Sequence, residues 1–208
     1  EAISRFFNVD NLFFKTFISL LKKPDDVILS FINGVRKKYL NALSYFALSV
    51  TVSGLVLFLG KKFFPELLEN PFSNSGVSTN SIMEYQSIMA FLWIPFYALI
   101  SKTIFYKNKQ LNYTEHIIIY LYTIAQISIF SLPFHIALLF AGINYIYISY
   151  ITIVFMIAYN AYVLKRIFEL SVGKIIWKSI QFILLLLALM IIFGIVMVIL
   201  GVATKTAG

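Results

Sequence analysis

A run of 49 residues without a formal charge, residues 116–164, most constrains what this chain can fold into. As one helix it would be about 73 Å long at 1.5 Å per residue, whereas the hydrocarbon core of a bilayer is about 30 Å thick. The run therefore predicts two membrane crossings joined by a turn. A turn at Pro133 would leave unequal pieces, so we place the turn at Gly142-Ile143-Asn144 and a kink at Pro133.

Three more segments can cross a membrane, which makes five. One of these is uncharged only over residues 85–101, which is somewhat short, but the Lys102 side chain can snorkel and extend the span toward Tyr106. The chain is 60% hydrophobic and 12% charged, against about 25% charged residues in an average globular chain. We therefore predict an all-α, polytopic integral membrane protein, with a transmembrane domain over residues 41–208. The predicted spans are residues 41–60, 85–106, 114–140, 145–166 and 175–201.

The basic residues fall mainly on alternate sides of this map. One side carries 14 of the 17 lysines and arginines, and the other side carries 3. Positive charge accumulates on the cytoplasmic side of short membrane loops. This predicts a multi-pass protein of a bacterial inner membrane, with a cytoplasmic N-terminus and a periplasmic C-terminus.

Residues 1–40 predict two amphipathic helices that are too short to span. Asp10 would cap the first, over residues 11–21, and Pro24 would begin the second. Their predicted apolar stripes are Phe13, Phe14, Phe17, Leu20 and Leu21 in the first helix, and Val27, Ile28, Phe31 and Val35 in the second. Two placements remain open: the helices lie in the cytoplasmic membrane interface, or they pack against the protein's own loops.

Two stretches of sequence resemble a known bacterial membrane family. The first comprises Lys22-Lys23-Pro24, residues 31–41 (FINGVRKKYLN) and Ser44-Tyr45-Phe46, and the second is residues 112–116 (NYTEH). They resemble signatures of the domain-of-unknown-function family 3667, common in Bacteroidota, and the resemblance covers residues 10–135. It implies a membrane protein without an assigned activity. Many members carry a cysteine zinc ribbon, which is missing here, so metal binding does not follow.

Candidate binding residues cluster at the predicted cytoplasmic face. They are Arg36, Lys37, Lys38, Glu115 and His116. The basic triplet is either a topology anchor or a site that captures anionic lipid headgroups, and Gly34 would allow a close backbone turn beside it. Glu115 begins a span, where the helix dipole favours a carboxylate, and we expect it to pair with Arg36 or Lys37.

Within the spans the polar side chains are expected to form hydrogen bonds between helices. They are Gln126, His135, Asn160 and Gln181, with tyrosines at 120, 122, 145, 147, 150, 159 and 162. The two histidines cannot share a metal within one helix, because nineteen residues separate them by about 28 Å. With no cysteine in the chain, we expect neither a metal site nor a cofactor.

The sequence contains no recognisable catalytic set, so we expect no enzyme. We predict a non-catalytic accessory subunit of a larger inner-membrane complex, with anionic membrane lipids and other membrane proteins as partners. The alternative is a small transporter or a protein that binds lipid headgroups. The net charge of +8 lies in short loops beside apolar segments, so nucleic acid is not an expected partner.

Overall fold

The computed structural model of the protein describes residues 2–68, 86–108 and 111–206. Within these ranges the regular structure is entirely α-helical. In chain order the helices are α1 (Ala2–Lys22), α2 (Pro24–Ile32), α3 (Ala42–Phe63), α4 (Pro65–Leu68), α5 (Gln86–Phe105), α6 (Tyr113–Phe140), α7 (Tyr145–Ile167) and α8 (Val172–Thr206).

Five of the described helices are long and apolar enough to cross a membrane. These segments are Ala42–Phe63, Ile88–Phe105, Tyr113–Phe140, Tyr145–Ile167 and Val172–Val196. The predicted all-α fold with five spans is therefore confirmed. Tyr85, the predicted start of the second span, lies outside the described residues.

The tight turn predicted near Gly142 joins α6 to α7. Helix α6 ends at Phe140, and α7 begins at Tyr145. Gly142 has a φ of +76°, which glycine adopts without steric cost, and its amide begins the hydrogen-bond pattern of a Schellman motif. Asn144 then caps α7 through its side chain. Pro133 lies inside α6, as predicted, so the long uncharged run turns back at the glycine.

Helix α1 is longer than the sequence predicted. We expected Asp10 to cap a helix that starts at the next residue, but α1 runs without a break from Ala2 to Lys22. Residues 2–9 contain neither glycine nor proline, and a single aspartate costs little within a helix. Asp10 therefore lies inside α1, and the prediction of an N-cap at this residue is wrong.

Helix α6 lies at the centre of the bundle, and α8 lies at its edge. Eleven of the 28 residues of α6 are buried inside the protein, against two of the first 25 residues of α8. Helix α6 packs against α3, α5 and α7, whereas α8 packs against α5 and α7. The polar residues of α6 are therefore the ones best placed to contact other parts of the chain.

Contacts at the helix termini define two ends of the bundle. At one end, Arg166 of α7 forms an ion pair with Asp25 of α2, with Nε and Oδ1 2.9 Å apart. At the other, Phe64 after α3 packs against Phe140 of α6, with ring centroids 5.2 Å apart. We call the first the platform end and the second the far end. Five crossings place residue 37 and the C-terminal end of α8 at opposite ends.

Candidate functional site

The N-terminal platform consists of α1, α2 and residues 33–40, and it is the first candidate site. Pro24 begins α2, where its missing amide hydrogen costs nothing, and Val27 and Ile28 are fully buried. Gly34 follows the helix with a φ of +86°, and the backbone then closes a Schellman motif. Val35 lies beyond the helix and is 50% exposed, so its predicted place in the apolar stripe of α2 is wrong.

Helix α1 packs its inner face against the protein's own spans. Leu20 and Thr16 are fully buried, whereas Phe14 is 61% exposed. The ring of Phe13 lies 5.8 Å from that of Tyr45 in α3. Of the two predicted placements, packing against the protein itself describes this face, and the contacts are with the spans as well as with the segment between α2 and α3. The predicted stripe is wrong at Phe14, which points away from the bundle.

Gln126, at the middle of α6, connects α1 to α3. Its side-chain amide donates to the Phe17 carbonyl at 3.2 Å, and its side-chain oxygen accepts from the Tyr45 hydroxyl at 2.6 Å. Tyr45 and Gln126 are both almost fully buried. A buried amide needs such partners because an unpaired polar group costs about 1 to 3 kcal/mol.

Two tyrosines of α7 donate to the C-terminal end of α1. Tyr159 donates to the Leu20 carbonyl at 2.9 Å, and Tyr162 donates to the Lys22 carbonyl at 3.0 Å. These carbonyls belong to the last turn of a helix, where no amide of the same helix can reach them. The prediction that span tyrosines bond between helices is confirmed here, and their acceptors are backbone groups of the platform.

The segment between α2 and α3 is also fixed by hydrogen bonds between its backbone and side chains of other helices. Tyr122 of α6 donates to the Leu40 carbonyl at 2.7 Å, and the Leu40 amide donates to the Thr16 hydroxyl oxygen at 2.9 Å. Thr16 in turn donates to the Leu12 carbonyl of its own helix. Both backbone groups of Leu40 are thus paired, which fixes where the chain enters α3.

Asp26 joins α2 to the end of the following segment. Both of its carboxylate oxygens accept from the Lys38 ammonium, at 2.6 and 2.8 Å, and one also accepts from the Tyr39 hydroxyl at 2.6 Å. The Lys38 bond, followed by the Tyr39 bond, holds the pKa of Asp26 below its ordinary value of 3.8. The same bond raises the pKa of Lys38 above 10.5.

The sign of these shifts sets a pH window for the pair. The stability due to Asp26 is present above pH 3.8 and is lost as the pH falls through its lower folded pKa. The stability due to Lys38 is present below pH 10.5 and is lost as the pH rises through its higher folded pKa. The pair is therefore charged throughout the physiological range.

Carbon-13 NMR of the Asp26 carboxyl tests this arrangement. We expect its titration midpoint to lie below 3.8 and to move upward in Lys38→Gln, with a smaller upward change in Tyr39→Phe. Lys37→Gln is the matched control and should leave the midpoint unchanged. A wild-type midpoint at or above 3.8, or equal responses to the two lysine changes, would contradict the ion pair.

No hydrogen bond or ion pair joins the five candidate binding residues to one another in the described part of the chain. Lys38 is neutralised by Asp26, while Arg36 and Lys37 are exposed and make no hydrogen bond or ion pair with another described residue. Glu115 instead forms a capping box: its carboxylate accepts from the Asn112 amide at 2.7 Å. The expected pairing of Glu115 with Arg36 or Lys37 is therefore wrong.

His116 lies inside the bundle and is 1% exposed. Its Nδ1 lies 3.0 Å from the Ser101 hydroxyl of α5, and its ring stacks on Phe168 at 5.9 Å between centroids. These contacts join three consecutive spans at the platform end. His135, nearer the far end, has Nδ1 2.8 Å from the Ser131 carbonyl. Within the described ranges no three His, Cys, Asp or Glu residues are grouped to bind a metal.

The fold and its docked N-terminal platform define a polytopic, α-helical membrane protein. Residues 10–54 match the family described as "Protein of unknown function (DUF3667)", and this match confirms the predicted family resemblance. The matched residues include most of the platform and the first part of α3, whereas the stretch at residues 112–116 lies outside the match. No curated protein and no solved structure matched the chain.

Proposed function

We propose that the protein is a non-catalytic integral membrane protein that serves as an accessory subunit of a larger complex in a bacterial inner membrane. The observation that supports this most directly is the docking of the platform onto the spans. Gln126, Tyr122, Tyr159 and Tyr162 all bond to backbone groups of residues 17–40. These intramembrane polar groups hold the platform in place through hydrogen bonds to its backbone.

The outer face of the platform offers a surface to a partner. Phe14 and Ile18 are 61% and 48% exposed on α1, and Lys15 and Lys22 are exposed beside them. Apolar side chains flanked by lysines suit the boundary between headgroups and acyl chains, where another membrane subunit would meet this one. Aromatic residues such as Phe14 are enriched at the centres of protein interfaces.

The orientation in the membrane is part of the same proposal. The platform end carries Lys22, Lys23, Arg36 and Lys37, and the positive-inside rule would place such an end in the cytoplasm. Anionic lipids of the inner leaflet would then surround the platform. The far end would face the periplasm.

Affinity purification from native membranes in a mild detergent, followed by mass spectrometry, tests the subunit role. We expect a defined set of membrane proteins to co-purify with the wild type and to fall about tenfold in Phe14→Ala, because central aromatic residues contribute about 1.4 kcal/mol or more to interfaces. Phe58→Ala is the matched control, since Phe58 is 63% exposed on α3. Equal recovery with both variants, or no stable partner, would contradict the subunit role.

Arg36 and Lys37 support headgroup binding as a second candidate function. Both side chains are exposed directly after the turn at Gly34, whereas Lys38 is occupied by Asp26. The same purification distinguishes the two functions. A lone protein that retains a defined anionic lipid, and loses it in the Arg36→Gln/Lys37→Gln double variant, would favour headgroup binding or transport over the subunit role.

A further inference from the structure

A cavity of about 260 Å³ lies between α5, α6, α7 and α8 and has no part in platform docking. Its lining is almost entirely apolar toward the bundle centre, where α7 supplies Ile153 and α8 supplies Leu186 and Leu187. Toward the platform end it carries polar groups, among them Lys178 and Asn160. Lys178 and Leu187 are separated by nine residues, or about 13 Å along α8. The cavity is therefore amphipathic along its length.

Two buried polar atoms at the polar end have no hydrogen-bond partner among the described residues. They are the hydroxyl of Tyr120, a residue only 2% exposed, and Oδ1 of Asn160. Both side chains line the cavity. Both atoms are closed off from the cavity, and the Tyr120 hydroxyl lies beside Ser101 and Asn160, so they make this wall of the cavity polar without offering a surface to a ligand.

Lys178 adds a positive charge at the same end. Its ammonium donates to the Ile104 carbonyl at 2.6 Å and lies 4.8 Å from the centre of the Phe105 ring. This single bond leaves two N–H donors available. An open groove on the other side of Lys178 is lined by Lys107, Tyr106 and Gln181, and the described residues that line the groove and the cavity include no carboxylate.

The depth of Lys178 matches that of a lipid headgroup. Trp177 precedes it and is 62% exposed on the outer face of α8. Exposed tryptophans mark the boundary between headgroups and acyl chains. The rim of the cavity includes Ile157 of α7 and Leu187 of α8, which are 39% and 49% exposed, so the cavity opens toward the bilayer.

We propose that this cavity binds an acyl chain of an anionic membrane lipid, with the lipid's negatively charged oxygens at Lys178. The phosphate or carboxylate accepts from the ammonium. The acyl chain lies along Phe182 and Leu186 toward the bundle centre. This site is separate from Arg36 and Lys37, and it stands whether or not the protein is an accessory subunit.

Native mass spectrometry of delipidated protein titrated with phosphatidylglycerol, phosphatidylcholine and oleic acid tests the site. We expect one phosphatidylglycerol or one oleate to bind about tenfold more tightly than phosphatidylcholine. Whether phosphatidylglycerol or oleate binds identifies the anionic group as a phosphate or a carboxylate. Lys178→Gln should abolish this preference, because a bond to a charged group contributes at least a factor of ten.

Lys174→Gln is the matched control, because Lys174 is exposed on the same helix one turn earlier and lies outside the cavity lining. Absence of a bound lipid on the wild type, or the same loss in Lys174→Gln as in Lys178→Gln, would overturn the proposal.

Discussion

Replacing Leu20 by alanine should loosen the N-terminal platform from the spans by about 2 kcal/mol, because Leu20 is fully buried in the contact between them. Core Leu→Ala changes in soluble proteins cost about 2 to 5 kcal/mol. The lower figure applies here, since the detached face of α1 would still lie beside lipid, which is as apolar as leucine. Most of the cost therefore arises from the lost packing.

Hydrogen exchange of the α1 amides measures this effect. We expect exchange in Leu20→Ala to be about 30-fold faster than in the wild type, which corresponds to about 2 kcal/mol. Ile18→Ala is the matched control, because Ile18 is 48% exposed on the same helix and its loss should cost less than about 0.5 kcal/mol. Equal acceleration in both variants would show that α1 does not dock through the face we describe.

Removing the Gln126 side-chain amide should have the second-largest effect. Gln126→Leu leaves the Tyr45 hydroxyl buried without an acceptor and removes a donor from the Phe17 carbonyl. We expect a loss of about 1 to 2 kcal/mol in the free energy of unfolding. An unsatisfied buried polar group costs about 1 to 3 kcal/mol. The lower part of that range applies here because hydrogen bonds between transmembrane helices contribute about 0.6 kcal/mol on average.

A double-mutant cycle isolates the bond between Tyr45 and Gln126. Tyr45→Phe alone leaves the side-chain oxygen of Gln126 unpaired, so both single variants should be destabilised. The double variant replaces both partners with apolar groups and should lose less stability than the sum of the two single losses. Unfolding in mixed detergent micelles provides the measurement. Strictly additive losses would mean that the two side chains do not interact in the folded protein.

The span layout was predictable because it depends on uncharged length. The bilayer limits how long a single crossing can be, so residues 116–164 had to turn back, and glycine at 142 suits the positive φ that the turn adopts. The capping box of Glu115 was also accessible from the sequence, since Asn112 precedes it by three residues. We instead expected an ion pair for this carboxylate, and the structure corrects that choice.

The docking of α1 could not be derived from its sequence pattern. A hydrophobic stripe identifies the buried face only where the opposite face meets water. The apolar stripe of α1 is wider than its buried face, so Phe14 resembles a core residue although it points outward. Thr16 resembles a surface residue although it is buried, because its partner, the Leu40 amide, lies 24 residues further along the chain. Contacts of that range are set by tertiary structure.

The absence of cysteine in the chain allows the topology to be tested with single-cysteine variants and a membrane-impermeant thiol reagent. Lys37→Cys, Ile143→Cys and Val172→Cys each introduce one exposed or partly exposed thiol outside the membrane core. The central claim is five crossings with a turn at Gly142. It predicts that the thiols at 37 and 172 react in inside-out vesicles, whereas the thiol at 143 reacts in intact spheroplasts. Reaction of the thiol at 143 from the same side as the thiol at 37 would contradict it.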